Sequence, residues 1–412
     1  MTVDLNLWLS NILKRFPLLS KSSLPDSLEH LKNVLRIIVF SVHVSVPITS
    51  TNWVEYITKA IETVSTTDNV LFYSTNQLPA FKSTDPKFDK LILWGGYGTG
   101  KSLLLREKAL QLSRQDPSFH GRIMYVHCNL FDNNRSLQVS YLKNMLEPHG
   151  IIVKSFVPKR SSLCVPSLDS LEITEDEDDE DLTEMVTKNN IKAIFLDEWK
   201  IFPKEEIEKM ISLVEICWIA PGIEEYCYDA RNISQELRMN FEFLDLKLNL
   251  RNSRKIVETS MMLNQEYERE TSYDHAGITL PPQNFPCGQP SVFADSLEKA
   301  IAMARKFTKG GILVITAPDD ACIETFMQST GEKWKLNSDL TETEDPYKLL
   351  TEGYILFVNC CKNVTGFEWP VVICTPYDDI TISLEGINYH RRNIFMRCTT
   401  YLIVISKRQT QY

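Results

Sequence analysis

Apolar residues recur at helical spacing in "LNLWLSNILKRF" (Leu5 to Phe16) and again in "SLEHLKNVLRIIVF" (Ser27 to Phe40). That period predicts helices buried along one face, so residues 1–68 read as a small, mainly helical segment. From Val70 the pattern changes to short apolar runs set between amphipathic stretches. Candidate strands are "KLILWG", "GRIMYVHC", "IKAIFLDE" and "VEICWIA", with "FLDLKLNL" as a short strand or turn. A Pro- and Gly-dense linker, "TLPPQNFPCGQPS" (Thr279 to Ser291), precedes a second alternating set. That set comprises a helix in "SLEKAIAMARKFT", strands "GGILVITA", "YILFVN" and "PVVICTP", a helix near "NYHRRNIFMRCT", and strand "YLIVIS". Continuous apolar strands alternating with helices predict parallel sheets covered on both faces, and hence two α/β units.

Composition narrows the class. At 412 residues, 43% hydrophobic and 24% charged, the chain has room for two or three cores and is neither disordered nor fibrous. The apolar run Val34 to Val46 is too short to span a bilayer and carries Arg36 and His43. Asp4 stands where a signal peptide would place basic residues. Ten cysteines without a CxxC pair read as reduced thiols. The expected setting is therefore intracellular, cytoplasm or nucleus, with no membrane. A net charge of -10 excludes a broadly basic surface but leaves room for a local basic groove. Much of the acidity lies in "EITEDEDDEDLTE" (Glu172 to Glu184), which reads as a solvated loop. His127 and His390 read as structural.

Chemistry enters between Leu91 and Leu110. Gly95, Gly100, Lys101 and Ser102 match G-x-x-x-x-G-K-[ST] in full, with Gly98 between, an apolar strand before and a helix after. Glycines let the backbone wrap phosphates with its N–H groups inward at the positive end of a helix. Lys101 is the expected partner of the β and γ phosphates of ATP, and Ser102 a ligand of Mg²⁺. Such a loop requires an acid at the end of a neighbouring strand. "IKAIFLDEWK" supplies Asp197 for the metal shell and Glu198 to take a proton from the attacking water.

Later motifs resemble those of superfamily 1 helicases, in the UvrD-like and Schlafen-type branches. "LKLNLRNSRKIVE" carries Asn249, Arg251 and Ile256 at the positions of the motif that opens the crossing into the second domain. "VTGFEWPVVIC" carries Gly366 and Glu368, and "IFMRCTTYLIVIS" carries Arg397 and Leu402 at the spacing of the last motif. The resemblance implies that Arg251 contacts the γ phosphate, Glu368 meets the nucleotide's sugar, and Arg397 acts as an arginine finger. Gln77 is either the adenine-reading residue of these enzymes or a polar loop residue. The implied fold is two tandem RecA-like P-loop domains with parallel sheets behind the helical segment. The boundaries are 1–68 for that segment, 69–250 for the first domain, 251–290 for the crossing segment and linker, and 291–412 for the second domain.

The chain also departs from the family pattern. Trp199 and Lys200 replace the x-Gln after Asp-Glu, and "WIAPGIEEY" lacks the Asp and Gln expected on the next strand. The segment 129–190 reads as an abbreviated first-domain insertion. "VKSFVPKRSS" joins Lys154, Lys159 and Arg160 to Phe156, which suits either stacking of a nucleic-acid base or a solvated loop. The expected activity is ATP hydrolysis coupled to single-stranded DNA or RNA. The alternative is an ATP-dependent regulatory switch that binds a protein partner through residues 1–68. A P-loop ATPase of the AAA+ or signalling type fits poorly, because a second strand-rich unit stands where a helical lid would follow.

Overall fold

The computed structural model describes residue 80 and residues 85–128, 136–156, 182–199, 204–222, 240–247, 249, 251–265, 280–281, 290–315, 323, 327–328, 330–341, 344–358, 361–374 and 394–405. All lie in a compact unit running from Tyr73 to Tyr412. The expected N-terminal helices, Gln77, Lys159, Arg160, Lys200, His390 and most of the acidic run lie outside the described residues.

The first sheet follows the alternation in the sequence. Strand β1 (Lys90–Gly95) leads into helix α1 (Lys101–Gln115), then β2 (Ile123–Cys128), α2 (Leu137–Leu146), β3 (Ile151–Phe156) and α3 (Leu182–Lys188). After these come β4 (Ala193–Trp199), α4 (Lys204–Leu213), β5 (Ile216–Pro221) and β6 (Glu242–Leu246). The strands lie in the order β3-β2-β4-β5-β1-β6, all parallel. Both faces are buried, so successive residues of one strand enter different cores. Leu91 and Leu93 pack with Leu104 and Leu105 of α1, whereas Ile92 packs with Met185 of α3 and Met210 of α4.

Two expectations are corrected here. Val153 to Phe156 form the end of edge strand β3 rather than a loop. The Phe156 ring stacks on Trp199, with centroids 5.6 Å apart, so it is engaged by its own sheet. The described parts of 129–190 are likewise not an insertion, because α2, β3 and α3 complete the sheet and its covering layers. The last residues of the acidic run, Leu182 to Glu184, open α3, with Leu182 and Thr183 buried.

Helix α5 (Arg254–Gln265) precedes the second sheet, which is built from β7 (Val292–Ala294), α6 (Leu297–Phe307), β8 (Ile312–Ile315) and β9 (Trp334–Leu336). It continues with α7 (Pro346–Thr351), β10 (Ile355–Val358), β11 (Trp369–Cys374) and β12 (Cys398–Ile405). Its order is β7-β12-β11-β8-β10-β9, again all parallel. Ser296 caps α6 by accepting from the Lys299 N–H, and Asp345 caps α7 ahead of Pro346, the placements helix N-termini favour. Strands β7 and β9 have three residues each, too short to leave a pattern in the sequence.

The two halves share apolar contacts. Leu142 and Leu146 of α2 enter the first core, while Leu137 of the same helix and Ile256 of α5 enter the core of the second sheet. Among the described residues no helix is long and apolar enough to cross a membrane.

Candidate functional site

β1 ends at Gly95 and α1 starts at Lys101, with Gly100 as its N-cap in the left-handed region (φ 89°) and no side chain bonded to the cap. Gly98 is also left-handed (φ 71°). Close approach fixes these glycines too. A Cβ at Gly95 would stand 2.6 Å from the Leu246 carbonyl oxygen, because Gly95 pairs with Leu246 of β6. A Cβ at Gly98 would collide with the side-chain oxygens of Asn249 and Asn252. The loop therefore leaves helix N–H groups open to an anion while resting on the segment that follows β6. Lys101 Nζ donates to the carbonyls of Gly95 (2.8 Å) and Gly96 (3.0 Å). Burial lowers the Lys101 pKa, although Glu198 and Asp197 pull it up.

Asp197 lies at the carboxyl end of β4, one strand beyond β5 from the loop, where ligands of parallel sheets bind. It is 1% exposed. Ser102 Oγ donates to its Oδ1 (2.9 Å), as does the Glu198 N–H (3.1 Å), and the Tyr125 hydroxyl donates to Oδ2 (2.9 Å). His127 Nδ1 lies 3.7 Å from Oδ2. Burial raises the Asp197 pKa, but His127, Ser102 and Tyr125 outweigh it and the net shift is downward. Tyr125 is pushed well up by burial and by the Asp197 charge. Ser102 and Asp197 thus present converging oxygens beside the glycine-rich loop, a donor set that fits Mg²⁺ with its retained waters. Glu198 sits at the strand end with φ 50°, and a Cβ at Gly222 would lie 3.1 Å from its Oε2.

The expected arginines come from two places, Arg251 from the segment after β6 and Arg397 from the second half. Asn249 Oδ1 accepts from the N–H groups of Arg251 and Asn252 (both 3.0 Å), and the Asn252 amide donates to the Met396 (3.0 Å) and Cys398 (2.8 Å) carbonyls. The Arg251 guanidinium is paired with Glu368. Burial disfavours its charge, but Glu368 reverses the effect and the Arg251 pKa rises. The Arg397 guanidinium lies over Tyr97 of the loop, 5.6 Å from the ring centroid. Glu368 and Arg397 immediately precede β11 and β12. Carboxyl ends of the first sheet therefore meet amino ends of the second.

No protein-family model matches the chain, and no curated protein matches it. Among solved structures it is similar to an arterivirus nonstructural protein 10 (helicase) in complex with DNA, with 12% identity, a TM-score of 0.34, and coverage of 81% of this chain and 64% of that one. A crystal structure of arterivirus nonstructural protein 10 (helicase) matches at 14% identity and TM-score 0.33, covering 81% of this chain and 63% of that one. A PRRSV helicase matches at 12% identity and TM-score 0.33, covering 78% and 53% respectively. The chain thus spans less than two thirds of the length of each.

Of the residues expected at the site, Gly95, Gly98, Gly100, Lys101, Ser102, Asp197, Glu198, Arg251, Glu368 and Arg397 are joined by these contacts into one neighbourhood around Lys101. Gln77 lies outside the described residues. Three participants went unmarked in the sequence. Tyr97 is a non-glycine within a glycine-rich loop, Asn252 is one of two nearby asparagines, and His127 reads as a core histidine. An aromatic Tyr141–Tyr347 contact, with centroids 4.4 Å apart, also bridges the halves. Arg106 Nη1 of α1 donates to the Tyr141 hydroxyl (3.1 Å), and the Tyr347 hydroxyl donates to the Glu368 carbonyl (3.0 Å).

Proposed function

We propose that this chain binds and hydrolyses ATP with Mg²⁺ through a helicase-like core and acts on single-stranded nucleic acid inside the cell. The reading takes 69–250 and 291–412 as RecA-like domains joined by 251–290. The observation that carries it is the Ser102–Asp197 hydrogen bond of 2.9 Å beside a loop that also faces Arg251 and Arg397. The N–H groups at the start of α1 and Lys101 would hold the phosphates, Lys101 Nζ exchanging the Gly95 and Gly96 carbonyls for them. Ser102 and Asp197 would hold Mg²⁺, whose charge offsets that of the β and γ oxygens. Glu198 accepts the proton of the attacking water. Arg251 and Arg397 stabilise charge on the transferring phosphoryl group, and both depend on the second half being in place.

A second reading is a nucleotide switch that binds a protein partner through residues 1–68. It draws on three cations that the chain itself engages: Lys101 on loop carbonyls, Arg251 on Glu368, and Arg397 over Tyr97. One assay separates the two readings, namely ATP turnover with and without single-stranded DNA or RNA, against Lys101→Ala. Stimulation by either polymer supports the first reading. Turnover that ignores both, yet disappears in Lys101→Ala, leaves the switch. Turnover unaffected by Lys101→Ala removes both.

A further inference from the structure

His127 is fully buried, and neither of its ring nitrogens has a hydrogen-bond partner. A buried imidazole normally satisfies both. This one stands in register with Asp197 across the β2–β4 pairing, so the two side chains leave the same face of the sheet. Its Nδ1 is 3.7 Å from Asp197 Oδ2, beyond hydrogen-bond length. Its other flank is closed from the second half: a Cβ at Gly366 would lie 3.1 Å from His127 Cε1 and 3.0 Å from Gln138 Cγ. Gly366 is left-handed (φ 79°) and lies two residues before Glu368. An unsatisfied imidazole thus sits between the carboxylate expected to hold the metal and the loop that carries Glu368.

We propose that His127 is a positioning residue for Asp197, whose Oδ2 would accept from His127 Nδ1 in the state in which Ser102 and Asp197 hold Mg²⁺, with Gly366 fixing the ring. The inference rests on the function proposed above. Asp197 Oδ1 now accepts from Ser102 and from the Glu198 N–H. Once Ser102 Oγ is committed to a metal, that contact changes, and a second donor on Oδ2 beside Tyr125 keeps the carboxylate aimed. Groups that orient a metal-binding carboxylate commonly change metal affinity 10- to 100-fold, roughly, when removed.

The test measures the Mg²⁺ concentration that gives half of the nucleotide-dependent rise in melting temperature, with a non-hydrolysable ATP analogue, and compares it with the Mg²⁺ dependence of turnover. His127→Phe keeps the ring and removes the donor, and is expected to raise the Mg²⁺ requirement about tenfold or more. His127→Asn keeps an amide near the Nδ1 position and restores most of the affinity, whereas His127→Gln, whose amide reaches the Nε2 position, does not. If His127→Phe fails to fold, the contrast between Asn and Gln decides. An equal Mg²⁺ requirement in Asn, Gln and wild type overturns the role. A wild-type protein with no Mg²⁺-dependent nucleotide response overturns the proposed function, and this inference with it.

Discussion

The guanidinium of Arg397 lies over the ring of Tyr97 in the glycine-rich loop, 5.6 Å from the ring centroid, and Arg397 is only 2% exposed. In such desolvated surroundings a cation–aromatic contact contributes about 2 kcal/mol. The contact holds the arginine that precedes β12 to the loop that follows β1. Replacing Tyr97 by Leu should therefore lower the unfolding free energy of the nucleotide-free protein by about 1–2 kcal/mol. Tyr97→Phe, which retains the ring face, should not. Arg397→Ala and Arg397→Lys should each lower kcat by about three orders of magnitude, since a point charge does not replace the planar fork. Urea unfolding and steady-state turnover check the two parts separately, and full activity in Arg397→Lys would count against a finger role.

Arg251 and Glu368 are a pair of a different kind, joined by a direct ion pair that is mostly shielded from water. Removing one partner strands the other, which costs more than the pair contributes. A double-mutant cycle of Arg251→Ala and Glu368→Ala in urea should give a coupling of about 1–3 kcal/mol. If Arg251 moves to the γ phosphate, that coupling should shrink in the presence of Mg²⁺ and a triphosphate analogue but persist with a diphosphate. Coupling that is the same under all three conditions would show that Arg251 stays with Glu368.

Local patterns made the loop and most strands legible before any contact was known. The glycines, Lys101 and Ser102 are adjacent in sequence, and strands such as β2 and β4 are buried on both faces, so their apolar runs are nearly continuous. Edge strand β3 escaped because Lys154 and Ser155 are exposed, which gives it the polarity of a loop. The pairing of Arg251 with Glu368 joins positions 117 residues apart, a relationship that spacing does not encode. His127 escaped because a lone histidine in an apolar strand reads as core. Only the register with Asp197 shows what it faces.

Asn252 ties the segment after β6 to the entry of β12, donating to two buried carbonyls while its own oxygen accepts from Asn249 Nδ2 (3.1 Å). Asn252→Ala leaves those groups without a partner and should cost about 2–4 kcal/mol, measured by urea unfolding. Gly98→Ala should damage the same knot from the loop side, because its Cβ meets both asparagine oxygens and the backbone there is left-handed. A loss below about 0.5 kcal/mol in Asn252→Ala, the range of ordinary surface substitutions, would mean that the knot carries little of the connection.

Lys101 links stability to function with opposite signs. Burial lowers its pKa in spite of Glu198 and Asp197, so the folded protein holds this proton less tightly than the unfolded chain does. The charged lysine therefore subtracts from stability at neutral pH. That cost fades as pH rises through the folded-state value toward the ordinary lysine value of 10.5. Lys101→Met removes the buried charge and keeps most of the side-chain volume. The nucleotide-free variant should melt higher than wild type at pH 7, and the gap should narrow toward pH 10. Turnover should fall at least about a hundredfold, the usual effect of losing a preorganised donor to a reacting phosphate or carbonyl oxygen. Thermal unfolding across that pH range, read beside ATP hydrolysis, checks both. A variant that is less stable than wild type at pH 7 would mean that the bonds from Nζ to the Gly95 and Gly96 carbonyls outweigh the cost of burying the charge.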